Sequence, residues 1–287
     1  MSELTEILVP SIPPSIYFGG CAFGVPYMIG VVRNMKETWG EHFYKDTIVC
    51  GGSVGAVISL LLVLGFSADE MQQLYLRCAH KSYYYGIWNY CPEHILHELT
   101  EILNSKSVDV HELSGKFRCG IYSIVLGHIW CKSWDSKKEL LDTLRSSMYI
   151  PFYCTCKDPY YILLTLDAAY GASGHDFPHK DDTLFIGVDQ PAAEINRSMT
   201  VVEMTYPRLF QEYHDMLDSG YHAFESWDGT YKKKVGVRHP NYQMLDLFTF
   251  LKLLQNIQYY VISWDTLQIC IFIGYCYWVY NILRQTI

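Results

Sequence analysis

Thr47-Ile-Val-Cys-Gly51-Gly-Ser53-Val-Gly55-Ala56, followed by the unbroken apolar run Val57 to Leu64, decides the fold. A short β-prone segment enters a Gly-x-Ser-x-Gly turn and leaves as a buried helix, so the reading is strand, sharp turn, helix. Small residues at Gly51 and Gly55 let the backbone turn tightly enough to hold the Ser53 hydroxyl out at the sheet edge. There the N-terminus of the following helix favours a developing negative charge. Read without that context, the glycines cap an ordinary strand-to-helix turn.

Upstream, Ser15-Ile-Tyr-Phe18 reads as a buried strand that runs into Gly19-Gly20-Cys21-Ala22, with a helix after it to about Glu37. Only one strand and one helix therefore precede the serine turn. An ordinary α/β-hydrolase places several strands before its elbow. This order favours a fold in which the first strand delivers a glycine-rich loop and the second delivers the nucleophile. The backbone N–H groups of Gly20, Cys21 and Ala22 are candidate oxyanion donors, a role that does not depend on side-chain identity.

Downstream, Ser67-Ala-Asp-Glu70 and Ser136-Lys-Lys-Glu139 have capping-box spacing and open helices to about Tyr83 and Met148. Pro92 and Glu93 begin a further helix. Phe117 to Trp130, Tyr160 to Leu166, Thr183 to Val188 and Thr200 to Met204 read as strands, and Pro207 starts a long helix through Phe224. Alternation of this kind predicts a mainly parallel sheet covered by helices on both faces.

The chain has 287 residues, 50% hydrophobic and 18% charged, enough for a sizeable core. Its 22 basic and 30 acidic residues give a formal charge of −8, which argues against nucleic acid as a partner. Mean hydropathy is +0.04 and aromatics reach 15%, which points to contact with lipid or a partner. The ten cysteines are scattered, with no Cys-x-x-Cys pair, so free thiols are expected rather than a disulfide framework or a zinc ribbon. Met1-Ser-Glu-Leu-Thr-Glu lacks the basic start and apolar core of a secretory signal, which places the body of the protein on the cytosolic side of a membrane. Cys91, His94 and His97 have metal-ligand spacing but no evident fourth ligand, and two histidines on an amphipathic helix explain them. No metal or organic cofactor is expected.

From Met244 onward polar residues thin out, and Leu267 to Leu283 is apolar or aromatic apart from Gln268 and Asn281. As helix this run spans about 26 Å, slightly short of a hydrocarbon core of roughly 30 Å. Its tyrosines and Trp278 suit an interfacial belt, so it is expected to be an apolar C-terminal helix anchoring the protein to a membrane, either spanning or interfacial. A buried terminal helix is the alternative.

The chain resembles the patatin-like phospholipase family, in particular the animal branch that includes triglyceride lipases. The residues that carry this are Ile16-Tyr-Phe-Gly-Gly20-Cys21-Ala22-Phe23-Gly24-Val25-Pro26 and the elbow Gly51-Gly-Ser53-Val-Gly55-Ala56, supported by Ser136 to Leu140 and Ile150 to Cys154. The likeness spans roughly residues 14 to 190. It implies a three-layer α/β fold with a mainly parallel central sheet, and a Ser-Asp dyad instead of a triad. The expected organisation is an extension over 1–13, a catalytic domain over 14–190, its extension over 191–243 and the apolar tail over 244–287.

The family's aspartate lies in an Asp-Gly-Gly or Asp-Gly-Ala motif, and this chain reads Leu166-Asp167-Ala168-Ala169-Tyr170 and onward to Pro178. Aligning Pro178 without a gap puts Tyr170 in the aspartate's place; a three-residue insertion puts Asp167 there. Asp167 is preferred because a carboxylate ending a buried strand can be fixed and aimed, whereas a phenol with a pKa near about 10 is a poor base. Asp176 is a distant substitute. Val25 stands where relatives have glycine, and would be strained if that position required a positive φ. The resemblance implies a serine lipid acyl hydrolase acting on phospholipids or acylglycerols at a membrane. Its rival is a catalytically inactive patatin-fold protein that binds lipid or a membrane partner.

Overall fold

A computed structural model of the chain describes residues 10–85, 91–123, 126–150, 165–170, 177–190, 192–200, 203–204, 206–207 and 209–232. Its strands are β1 (Ser15–Phe18), β2 (Ile48–Gly52), β3 (Phe117–Ser123), β4 (Gly127–Cys131), β5 (Thr165–Leu166), β6 (Thr183–Val188) and β7 (Ile195–Arg197). Its longer helices are α1 (Val25–Trp39), α2 (Val54–Val63), α3 (Ala68–Tyr85), α4 (Cys91–Ser105), α5 (Lys137–Ser147) and α6 (Phe210–Glu225). The strands form one mixed sheet in the order β4-β3-β2-β1-β6-β7, with β5 also paired to β3. The pairs β1–β2, β1–β6, β2–β3 and β6–β7 are parallel, while β4 and β5 run antiparallel to β3.

The register sorts side chains onto two faces. Ile16 pairs with Val49, and Val49 with Phe117, so all three point to the same side. That side belongs to the larger core, which takes in buried residues of all six helices except α4's first turn. Tyr17 points to the opposite side and packs with Phe177 and Phe185, their centroids 4.6 and 5.0 Å from its own, and edge-on to Trp130. The sheet between these two cores gives a three-layer α/β arrangement with mostly parallel strands. Helices were expected on both faces; among the described residues the six long helices share the larger core on one face, and the other face carries this aromatic cluster.

The two capping-box motifs open their helices as the spacing predicts. Ser67 N–H donates to Glu70 Oε2 at 2.7 Å and Glu70 N–H returns to Ser67 Oγ at 3.2 Å. Ser136 Oγ accepts from Glu139 N–H, but the Glu139 carboxylate takes the N–H of Asp135 instead of that of Ser136.

One strand assignment is corrected. At the described ends of the stretch read as a strand over 200–204 the chain is not extended: Thr200 Oγ1 accepts from Glu203 N–H, the Glu203 carboxylate accepts from Thr200 N–H, and 203–204 are helical. The β-branched pair suggests extension, but Thr-x-x-Glu is itself a capping box. The parallel edge strand comes earlier, as β7. The long helix after Pro207 also begins later than expected, at Phe210. Residues 151–164, 171–176 and the whole apolar tail 244–287, with the expected anchor, lie outside the described residues, as does Asp176.

β3 positions the site by having both edges occupied. β4 holds one edge from Cys119 to Ser123. On the other, β2 pairs only as far as Gly120, and β5 takes over at Tyr122 and Ser123. Because β5 is antiparallel, it runs back along β3 toward the point where β2 leaves the sheet. The residue that follows β5 is Asp167, and the residue that follows β2 is Ser53.

Candidate active site

Ser53 has φ 56° and ψ −138°, a backbone conformation that L-residues adopt only when their surroundings force it. What forces it here is the close packing of α2 on the end of β1. A Cβ built on Gly55 would stand 2.2 Å from the carbonyl oxygen of Phe18 and 2.4 Å from that of Gly19, and one on Gly51 would stand 2.4 Å from the carbonyl oxygen of Gly55. The first turn of α2 can therefore reach the sheet only with glycine at both positions. Ser53 N–H donates to Ser147 Oγ at 2.8 Å, and the Ser147 hydroxyl donates to the carbonyl oxygen of Gly120 at 2.6 Å. Ser147 is fully buried at the end of α5 and ties the elbow to β3.

Asp167 is brought to the serine by the shared edge of β3. Ser53 Oγ donates to Asp167 Oδ2 at 2.6 Å, and Asp167 Oδ1 accepts from Ala169 N–H at 2.9 Å. Both side chains are buried, with Ser53 6% and Asp167 5% exposed. Burial pushes the Asp167 carboxyl up to about 6, against the two hydrogen bonds that hold it down. The group is thus mostly ionised at neutral pH yet more basic than an exposed aspartate, which suits proton transfer. The gapless alignment that put Tyr170 here is not needed to bring a carboxylate to the serine.

The glycine loop meets the same point from β1. A Cβ on Gly20 would lie 3.0 Å from Ser53 Cβ, 3.5 Å from Ser53 Oγ and 2.7 Å from Ala169 Cβ. Gly19 N–H is taken by the Ile186 carbonyl and Gly24 N–H by the Cys21 carbonyl. Among the described residues no acceptor is paired with the N–H of Gly20, Cys21 or Ala22. Ala22, not Val25, carries the positive φ, at 44°. Val25 has φ −48° and ψ −41° at the start of α1, so the strain foreseen for a β-branched side chain there does not arise. The Cys21 thiol is buried against Met28 Sδ at 3.5 Å, and burial followed by the nearby Asp167 raises its pKa far above the ordinary thiol value. It is an inert packing group and not a second nucleophile.

Sequence reasoning did not single out Ser147. Its role depends on where α5 ends relative to β2, which no local pattern encodes. Nor did it find Tyr17, whose buried hydroxyl lies 2.9 Å from where a Gly52 Cβ would be and has no hydrogen-bond partner among the described residues. Among those residues no group of three metal-ligating side chains gathers.

No family model matches the chain. The human omega-hydroxyceramide transacylase is 27% identical over 162 residues, covering 53% of this chain and 29% of that protein. The human 1-acylglycerol-3-phosphate O-acyltransferase PNPLA3 is 26% identical over 144 residues, covering 48% of this chain and 30% of that protein. The matches thus span less than a third of the length of these curated relatives. Among solved structures, the crystal structure of the type III effector protein ExoU aligns with 88% of this chain and 60% of its own at 12% identity and a TM-score of 0.43, a level that carries no argument about chemistry. The glycine loop and the serine elbow are similar to those of the patatin-like phospholipase family, and the two human relatives support that likeness at low identity.

Proposed function

We propose that the protein is a serine lipid acyl hydrolase that cleaves carboxyl esters of phospholipids or acylglycerols through a Ser53–Asp167 dyad. The observation that carries this is the 2.6 Å hydrogen bond from Ser53 Oγ to a buried carboxylate at the end of β5. Asp167 accepts the Ser53 proton as Oγ attacks the ester carbonyl, and the oxyanion turns toward the amides of Gly20, Cys21 and Ala22. Collapse breaks the ester C–O bond, and Asp167 returns the proton to the leaving alcohol. Water then attacks the acyl-serine, giving its proton to Asp167, and the fatty acid leaves as Ser53 is reprotonated. Neither step calls for a metal or an organic cofactor.

The inactive lipid-binding alternative rests on an acidic motif that has Ala168 and Ala169 in place of glycine. The burial of Asp167 and its contact with Ser53 favour the hydrolase. Acyl transfer to a lipid hydroxyl is a second outcome of the same acyl-enzyme, and both curated relatives are named for acyl transfer. We further propose that residues 244–287 hold the protein at a membrane with the catalytic domain on the cytosolic side; release of the protein by alkaline carbonate would contradict a spanning tail. A fluorophosphonate probe tests the nucleophile: labelling of wild type at Ser53 and none of Ser53→Ala is expected, and an unlabelled wild type beside a labelled serine lipase would overturn the reading.

A further inference from the structure

Helices α3, α4 and α5 frame a cleft of about 660 Å³, a volume in the range of small-molecule sites. Lys81 faces it from α3 and Arg145 from α5, while α4 contributes Glu93, His94 and His97. Both cations are already aimed. Glu98 accepts from Lys81 Nζ at 2.8 Å and from Arg77 Nε at 2.9 Å, and Asp142 accepts from Arg145 Nη1 at 2.8 Å and from Lys138 Nζ. Long side chains tethered in this way have already lost rotamer freedom that a ligand would otherwise have to freeze. The side-on edge of the Arg145 guanidinium is left over. Its Nε–H is buried with no hydrogen-bond partner among the described residues, and its Nη2 stands 3.5 Å from Glu93 Oε2, too far for a good hydrogen bond. Glu93 Oε1 is likewise buried without a partner among those residues. Guanidinium and carboxylate therefore stand opposed without closing on each other.

We propose that this cleft binds phosphate monoesters, whose dianion replaces Glu93 on the Nε–Nη2 edge of Arg145 while Lys81 supplies the second cation. A side-on guanidinium offers two parallel N–H donors that match two phosphate oxygens, and Glu93 uses neither well. Two facing cations suit a dianion better than the single charge of a phosphodiester. Among the described residues the ion pairs around the cleft set Arg77, Lys81, Lys138 and Arg145 against Glu93, Glu98 and Asp142, a positive balance in a chain whose formal charge is −8. Burial and, less, the Lys81 charge hold the His94 imidazole below its ordinary pKa, which leaves a neutral ring able to donate one N–H to the anion. The cleft is larger than a bare phosphate ion, and Leu96 and Leu141 give an organic substituent an apolar wall. No residue of the dyad or the glycine loop lines it, so the proposal does not rest on the role of Ser53.

The test is titration of the Ser53→Ala protein, chosen so that turnover does not interfere, at about pH 8, above the second phosphate pKa of about 6. Glycerol phosphate is added in a calorimeter. In parallel, co-sedimentation is measured with phosphatidylcholine vesicles with and without phosphatidate, whose headgroup is the same monoester. Adding Lys81→Gln or Arg145→Gln should weaken phosphate-dependent binding about tenfold, the factor for one charge-assisted hydrogen bond. Adding Glu93→Gln should tighten it about threefold or more, because the competing carboxylate is gone. Losses seen with glycerol phosphate identify a soluble ligand, and losses confined to phosphatidate vesicles identify a lipid headgroup; either supports the site. The proposal is overturned if neither form binds, if a folded cation variant binds as its parent does, or if Glu93→Gln binds no tighter. Should Arg145→Gln fail to fold, Lys81→Gln and Glu93→Gln decide between these outcomes. The hydrolase reading fails separately, by absence of ester turnover in wild type.

Discussion

At Ser53 the backbone is held at a positive φ so that a hydroxyl can face a carboxylate, and that conformation costs about 1–3 kcal/mol wherever it is imposed on a side-chain-bearing residue. Glycine adopts it freely. Ser53→Gly is therefore expected to abolish turnover and raise the unfolding free energy by about 1 kcal/mol or more in urea titrations, whereas Ser53→Ala abolishes turnover without that gain. Gly20 lies so close to the serine that a methyl there would press on Ser53 Cβ and Ala169 Cβ at once. Gly20→Ala should accordingly reduce kcat and lower stability by about 1–3 kcal/mol, because neither Cβ can move without its backbone. The dyad sets the pH dependence. With Asp167 at about 6, kcat/KM should rise with pH through that value and level off above it. A profile flat from pH 5 to 8 would mean that another group takes the proton.

Among the elements, β5, which completes the edge of β3 where β2 leaves it, matters most. β2 and β5 share one edge of β3 from opposite directions, and their ends deliver nucleophile and base to a single point. α5 secures the arrangement through Ser147, which accepts from Ser53 N–H and donates to Gly120. Ser147→Ala removes that bridge and leaves a buried amide unsatisfied, at a cost of about 1–3 kcal/mol. It should lower kcat more than it raises KM, and Ser147→Thr, which keeps the hydroxyl, should restore part of the loss. The packing of α1 on α6 is equally tight: a Cβ on Gly30 would stand 1.9 Å from the Leu217 carbonyl oxygen, and one on Gly220 1.9 Å from that of Tyr27. Gly30→Ala must push the helices apart, and a destabilisation of about 1–3 kcal/mol in thermal unfolding is expected.

These elements also mark what the sequence disclosed and what it withheld. Gly51 to Gly55 and Gly19 to Ala22 are legible because a strand, a turn and a helix leave local signatures in composition and spacing. Asp167 was legible as a strand end, and its partner followed only once the strand's direction along β3 was known. Ser147 was silent, since a serine at a helix end says nothing about which amide it will meet. Thr200 to Met204 misled because β-branched residues and a capping box compete in the same five positions, and the reciprocal hydrogen bonds decided for the helix start.

For the whole molecule, the site lowers stability. Asp167 binds its proton more tightly in the folded chain than at its ordinary value of 3.8, so the native state holds more protons than the unfolded one between there and about 6. The contribution is present below that window and is lost as pH rises through about 6. Asp167→Asn removes the titrating group, and at pH 8 it should be more stable than wild type by up to about 3 kcal/mol, with the gain vanishing below about pH 4. Stability curves of the two proteins that stay parallel across that range would show that burial does not penalise this carboxylate. The same burial that lowers stability keeps bulk water from the dyad and strengthens its hydrogen bond.

The most direct test of the central claim is release of fatty acid from a mixed panel of phospholipids and acylglycerols by wild type, Ser53→Ala and Asp167→Ala, each first verified as folded. Turnover by wild type at pH 8 and loss of about a thousandfold or more in both variants are expected, because a serine without its base and a base without its serine are equally idle. Full activity in Asp167→Ala, or none in folded wild type with membranes present, would contradict it.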